Sequence, residues 1–204
     1  NENSSQTKSY AIAGTINTIS GYPDSLAIGL IRIKNLKDDI YIQDAMVKIN
    51  GNQITYNSSA LGYSTIIVYK NNQNYKVEIN FDNYNVSVDC LSGNLDSIRV
   101  IVDKDSVNRG DIINVKWEYF GEPNGKNMIL LKKKGSVEFN ASSGYIQISD
   151  TTYQLNTSNL ETTDYDLLLI SGNFCEIDNF QPYPNFPSSL IFVGRGSSLI
   201  IKIR

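Results

Sequence analysis

Asp103, Asp105, Asn108 and Asp111 are spread through "DKDSVNRGD" (103 to 111), and their side-chain oxygens are of the kind that holds a calcium ion. A calcium loop of the helix-loop-helix type needs tighter Asp/Asn spacing before its glycine and a bidentate Glu at the twelfth position, which here is Asn114. The departures favour a polar turn joining two strands, and the "RGD" inside it reads as a chance tripeptide. Glycoside hydrolysis needs two carboxyl groups across a cleft, roughly 5 to 9 Å apart. Asp38 with Asp39, and Asp164 with Asp166, are turn or edge neighbours with no reason to straddle one. The chain has no histidine, so the usual general base and the commonest metal ligand are both missing. "VGRGSS" (193 to 198) lacks the lysine and following helix of a phosphate loop and reads as a hairpin turn. No catalytic, cofactor-binding or metal-ligating residue is assigned. The chemistry therefore points away from an enzyme.

Aromatic and covalent features carry more. With 13 Tyr and 7 Phe, the rings either fill cores or stack on sugars. Phe180, Tyr183 and Phe186 in the proline-stiffened "NFQPYPNFPSSL" (179 to 190) read either as a sugar- or partner-contacting tip or as packing over the end of a sandwich. Asn-X-Ser/Thr sequons at Asn3, Asn57, Asn85, Asn140 and Asn156 matter only outside the cytoplasm, where N-glycans are added. Cys90 and Cys175 form an even pair, and a bridge between them would stabilise the fold by roughly 4 to 5 kcal/mol through loop closure. The alternative is two buried free thiols. With 18 basic and 21 acidic side chains the net charge is −3 and is not blocked, giving no case for nucleic acid or an anionic membrane. No apolar run approaches the ~20 residues of a membrane helix. An exported chain, processed by signal-peptide removal and lying outside the cell, is expected.

Almost every segment alternates with period two or is rich in Ile, Val, Tyr and Thr, so the chain is read as all-β. "SLAIGLIRIKNL", "DAMVKING", "YSTIIVYK" and "NYKVEINF" read as strands of a first sandwich over 21–92. A polar joint, "DCLSGNLDS" (89 to 97), marks the boundary, and a second sandwich over 93–204 contains "SIRVIVDKD", "DIINVKWEYFG", "NMILLKKKG", "GYIQIS", "TTYQLNTSNL", "DYDLLLIS" and "SSLIIKIR". Residues 1–20 form an extended tail: a polar leader, then "SYAIAGTINTIS" (9 to 20) with Tyr10, Ile12, Gly14 and Ile16 on one edge.

"DAMVKINGNQITYN" with "GYSTIIVYKNNQNYKVEINF" is similar to transthyretin-like modules of bacterial and archaeal surface proteins. "TTYQLNTSNLETTDY" resembles the E-to-F crossover of fibronectin type III domains, with Leu160 and Tyr165 in the places of a tyrosine corner, one residue shorter than the common form. Trp117 stands where such domains often keep a core Trp. Together these imply two Ig-like or transthyretin-like β-sandwiches with an extended N-terminal strand.

A leader followed by an alternating strand is what donor-strand complementation needs, because backbone bonds give affinity and alternate side chains give register. A tail at one end and a groove at the other continue as a head-to-tail fibre. The arrangement resembles the subunits of archaeal cell-surface threads, the thin glycosylated filaments of thermoacidophiles of the Sulfolobus kind. That resemblance implies an extracellular homopolymer carrying N-glycans, without cofactors, serving adhesion or biofilm cohesion. The donor residues would be Tyr10, Ile12, Gly14 and Ile16, entering the second domain of a neighbouring subunit. The other reading keeps "AIAGTIN" as an ordinary first strand in a monomeric carbohydrate- or protein-binding surface module.

Overall fold

A computed structural model describes residues 9–18 and 26–204. The Asn3 sequon and the ends of the expected tail, 1–8 and 19–20, lie outside the described residues. The strands of the first half are β1 (Tyr10–Thr18), β2 (Leu26–Asn35), β3 (Ile40–Tyr41), β4 (Met46–Ile49), β5 (Asn52–Asn57), β6 (Gly62–Val68), β7 (Asn74–Phe81) and β8 (Tyr84–Leu91). They are followed by β9 (Asn94–Val102), β10 (Ser106–Val107), β11 (Ile112–Glu122), β12 (Lys126–Lys133), β13 (Asn140–Ala141), β14 (Ile146–Gln147), β15 (Thr152–Asn156), β16 (Asp164–Glu176) and β17 (Leu190–Ile203). No helix occurs among the described residues, and the protein is an all-β sandwich fold.

Burial explains each pattern. In β7, Tyr75, Val77, Ile79 and Phe81 alternate inward, as a strand with one wet face requires. The unbroken "LLLI" of β16 has another cause: Leu167 and Leu169 enter one core while Leu168 and Ile170 enter another on the opposite face. A strand covered on both sides has no polar alternation to keep.

One long sheet runs β13-β12-β16-β17-β1-β2-β6-β5-β4-β7-β8, and its β4-β7-β8 end folds over the middle. Ile12 and Ile16 of β1, Ile31 and Ile33 of β2, and Ile191 and Val193 of β17 pack there against Val47, Val77, Ile79 and Cys90. A separate sheet, β15-β11-β9, covers the other end, where Trp117, Ile113 and Val115 meet Leu167, Leu169, Ile201 and Ile203. Tyr165 is buried there, and its hydroxyl accepts the Glu161 N–H at 3.0 Å, a tyrosine-corner bond beside Leu160. On the outer face of the long sheet, Met128, Leu130, Ile170 and Phe192 form a third core beneath Phe139, Tyr145 and Phe186.

Three expectations change. "VGRGSS" is not a turn: β17 runs straight through it, paired to β16 on one side and to β1 on the other. Its glycines serve close approach, since a Cβ on Gly194 would lie 2.2 Å from the Ser171 carbonyl oxygen and 2.9 Å from Gly172 Cα. "DCLSGNLDS" is not a polar joint either, because it ends β8 and begins β9 with Cys90 and Ser92 fully buried and Leu95 in a core. The division at 92/93 is accordingly not a clean cut. Cys175, Ile177, Ile191 and Val193, from the second half, complete the first core.

Candidate functional site: the seat of the first strand

β1 lies inside its own chain's sheet, which differs from the expectation that residues 9 to 20 leave the chain. It runs antiparallel to β2, from Tyr10 opposite Asn35 to Asn17 opposite Ile28. It runs parallel to β17, from Ala13 opposite Leu190 to Thr18 opposite Arg195. The seat thus has one wall from each half of the chain, rather than lying in the second sandwich alone.

The side chains face as the alternation requires. Ile12 and Ile16 are fully buried in the first core. Gly14 sits between them, where an added Cβ would lie 2.5 Å from both Ile191 Cδ1 and Ile31 Cδ1, so those side chains close over the bare backbone. Tyr10 packs edge-on against Phe81 at 5.1 Å and Tyr84 at 5.5 Å, and its hydroxyl donates to Asp82. That bond, aided by burial, pushes the Tyr10 pKa up to about 12.

Polar groups fasten both ends. The Ile12 N–H donates to Ser189 Oγ at 2.7 Å, Ser189 Oγ donates to the Gln181 carbonyl, and the Gln181 N–H donates to the Tyr10 carbonyl. At the other end the buried Arg195 guanidinium donates to Thr18 Oγ1 at 3.2 Å, to the Leu95 carbonyl at 3.0 Å and to Asn71 Oδ1 at 3.2 Å, with its Cζ 4.5 Å from the Tyr69 ring centre. Burial pushes the Tyr69 phenol up to about 12, against the opposing pull of Arg195. Burying one isoleucine side chain is worth about 1.5–3 kcal/mol, while ordering each backbone residue costs about 1–2 kcal/mol. Two isoleucines and a tyrosine cannot fix nine residues alone. The two hydrogen-bonded edges and the polar end contacts must do the rest.

The other candidates disperse. Asp103 accepts from the Asn114 side-chain amide and backbone N–H, bonds that lower its pKa, and Asp111 accepts from the Asn108 N–H. Among the described residues no three such groups are placed to hold a metal. Asp39 pairs with Lys34 and Asp166 with Lys132, Asp38 accepts from Asn35, and Asp164 lies between Lys134 and Arg204. The aromatic loop packs inward: Tyr183 is buried, Phe186 joins the outer core and Phe180 joins the first. Cys90 and Cys175 are bonded, with Cα atoms 5.8 Å apart, tying β8 to β16. Asn57, Asn85, Asn140 and Asn156 are all exposed. Asn57 and Asn156 cap their own turns, accepting from Ser59 and Ser158 N–H respectively.

Arg195, Ser189 and Gln181 were not legible as seat residues. For Ser189 and Arg195 the signal was the unbroken apolar run "LIFV" between them, hidden by the turn-like glycines beside it, and Gln181, in the loop before, carried none.

No family model matches the chain, and no curated protein matches it. Among solved structures the chain is similar to the fibronectin(III)-like modules of Clostridium thermocellum CbhA, at 10% identity over 95% of this chain and 94% of that one, with a TM-score of 0.26.

Proposed function

We propose that the protein is a structural subunit of an extracellular filament, polymerising head-to-tail by exchange of β1 between copies. One observation carries the reading: the first strand of the fold occupies an interior place, bonded on both edges, so its departure would open a groove between β2 and β17. In the single chain that groove is filled from within. In the filament it is filled by the β1 of the preceding copy, with the same register and the same Arg195 and Ser189 contacts, and the uncompensated edges drive the filling. Exposure of the four described sequons and the disulfide fit an exported, N-glycosylated chain serving adhesion or biofilm cohesion.

A second reading rests on the place of β1 in its own chain: a monomeric surface module, binding carbohydrate or protein, whose first strand never leaves. Deleting residues 1 to 20 separates the two. Exchange predicts a soluble, folded chain that takes up a synthetic peptide of residues 9–18, and a full-length chain that sediments as polymer. Loss of the first core in the truncated chain, with a full-length chain that stays monomeric, would establish the monomer.

A further inference from the structure

The outer face of the long sheet holds a narrow cavity. Because Ile12 and Ile16 turn into the first core, alternation sends Ala13, Thr15 and Asn17 to the opposite face, beside Ile28, Leu30 and Arg32 of β2. Phe139, Tyr183 and Phe186 roof this floor, and the space between has a volume of about 180 Å³. From Ile28 to Arg32 the strand advances roughly 13 Å, at about 3.3 Å per residue. Spread over that length, the space suits a single alkyl chain better than fused rings.

Arg32 stands at one end. Its guanidinium is buried; Nε and Nη2 donate to the Ala60 carbonyl at 3.1 and 2.9 Å, and Nη2 also donates to the Val137 carbonyl at 2.8 Å. Nη1 has no protein acceptor and is not sealed from solvent. Among the described residues no carboxylate pairs with this cation. Glu138, the residue after Val137, accepts instead from the Tyr183 hydroxyl at 3.2 Å. A buried charge is ordinarily paired, because its desolvation is costly and neutral carbonyls offset only part of that cost. The cavity is thus apolar along its length and cationic at one end.

We infer that the cavity binds a straight-chain monocarboxylate of about six to eight carbons, since an apolar cavity of about 150 Å³ already holds benzene. The carboxylate meets Arg32 at Nη1 in a charge-assisted bond, and the tail lies on Ala13, Thr15 and Leu30 beneath the three rings. An ammonium head would be repelled there, and a carboxylate without a tail would leave the apolar walls uncovered. A bound chain touches β1, β2 and the roof together, so it holds β1 in its seat. The floor is the same whether β1 comes from its own copy or from another. The inference therefore does not rest on the filament reading.

The test is isothermal titration calorimetry on the full-length chain at about pH 7, where both the carboxylate and Arg32 are charged, with acetate, butanoate, hexanoate, octanoate and hexylamine as probes. Octanoate should bind once per chain, and affinity should rise about four-fold with each methylene from butanoate onward, as burial of a CH₂ requires. Acetate and hexylamine should give no saturable heat. Arg32→Gln should weaken octanoate at least about ten-fold, through loss of a charged hydrogen bond. Because Arg32 also fastens two loops, Ile28→Trp supplies a second variant: it fills the cavity from a partly exposed position, leaves the guanidinium in place and should abolish binding. Circular dichroism checks that each variant is folded, and the wild-type series decides the matter by itself if either is not. No saturable binding of octanoate, affinity that ignores chain length, hexylamine binding as tightly as hexanoate, or octanoate binding unchanged in folded Ile28→Trp would overturn the inference.

Discussion

At the scale of single residues, two glycines differ in how much their surroundings can yield. A methyl on Gly14 would meet the flexible ends of Ile191 and Ile31, whereas one on Gly194 would meet the backbone of Ser171 and Gly172. Side-chain tips rotate away, but two paired strands cannot separate without losing their ladder. Gly14→Ala should cost about 1 kcal/mol and Gly194→Ala about 3 kcal/mol in urea unfolding, within the range for overpacked cores. Equal costs would refute the distinction. Tyr10 offers a second test at this scale. Its folded pKa of about 12 lies above the ordinary 10.0, so between those values the folded chain holds a proton that the unfolded chain has lost. The stabilisation is complete below about pH 10 and disappears as pH rises through 12. Urea midpoints measured from pH 8 to 12 should fall over that interval, and fall less steeply in Tyr10→Phe. An identical slope in the variant would show that the Tyr10–Asp82 bond is not formed.

At the scale of elements, the disulfide joins β8 in one layer to β16 in the facing layer, across the first core. Cys90→Ser/Cys175→Ser should lower stability by about 4 kcal/mol, since the bridge removes loop-closure entropy from the unfolded chain. A midpoint shift under about 1 kcal/mol would mean that the packing holds these layers without it. Strand existence was legible where one face is wet, as in β7, because alternation survives there. It was legible too in the apolar run of β16, whose composition leaves few alternatives. What escaped was the first half of β17, since glycines that permit close approach look the same in sequence as glycines that permit a turn. The seat suffered likewise: the inward residues of β1 could be read from its own period, but its walls come from segments far apart in the chain. Neither β2 nor β17 carries a local sign of which strand will lie beside it.

At the scale of the whole molecule, charge is arranged so that acid finds little to undo. Among the described residues, the buried polar groups include Arg32 and Arg195 but no Asp or Glu. Arg32 donates to the Ala60 and Val137 carbonyls, acceptors that do not titrate. The described ion pairs lie at the surface, where such pairs contribute little and salt screens them. Asp103 and Asp164 are held below the ordinary carboxylate value, the first by Asn114; for the second, burial pushes upward but Arg204 and Lys134 prevail. Depressed carboxyls support the fold above the unfolded value of about 3.9 and cease to do so as pH falls through their folded values. Asp103 is exposed, and Asp164, part-exposed at the surface, meets its partners in water, so this loss is small. The larger change is global: protonating 21 acidic groups leaves 18 basic ones uncompensated, and mutual repulsion acts on the folded chain. From pH 7 to pH 2 the melting temperature should fall by no more than about 10 °C. Most of that fall should be recovered in about 0.5 M salt, which screens repulsion over a few ångströms but cannot restore a protonated hydrogen-bond acceptor. Cooperative unfolding near pH 3 to 4 that salt does not reverse would instead point to a carboxylate on which the fold depends.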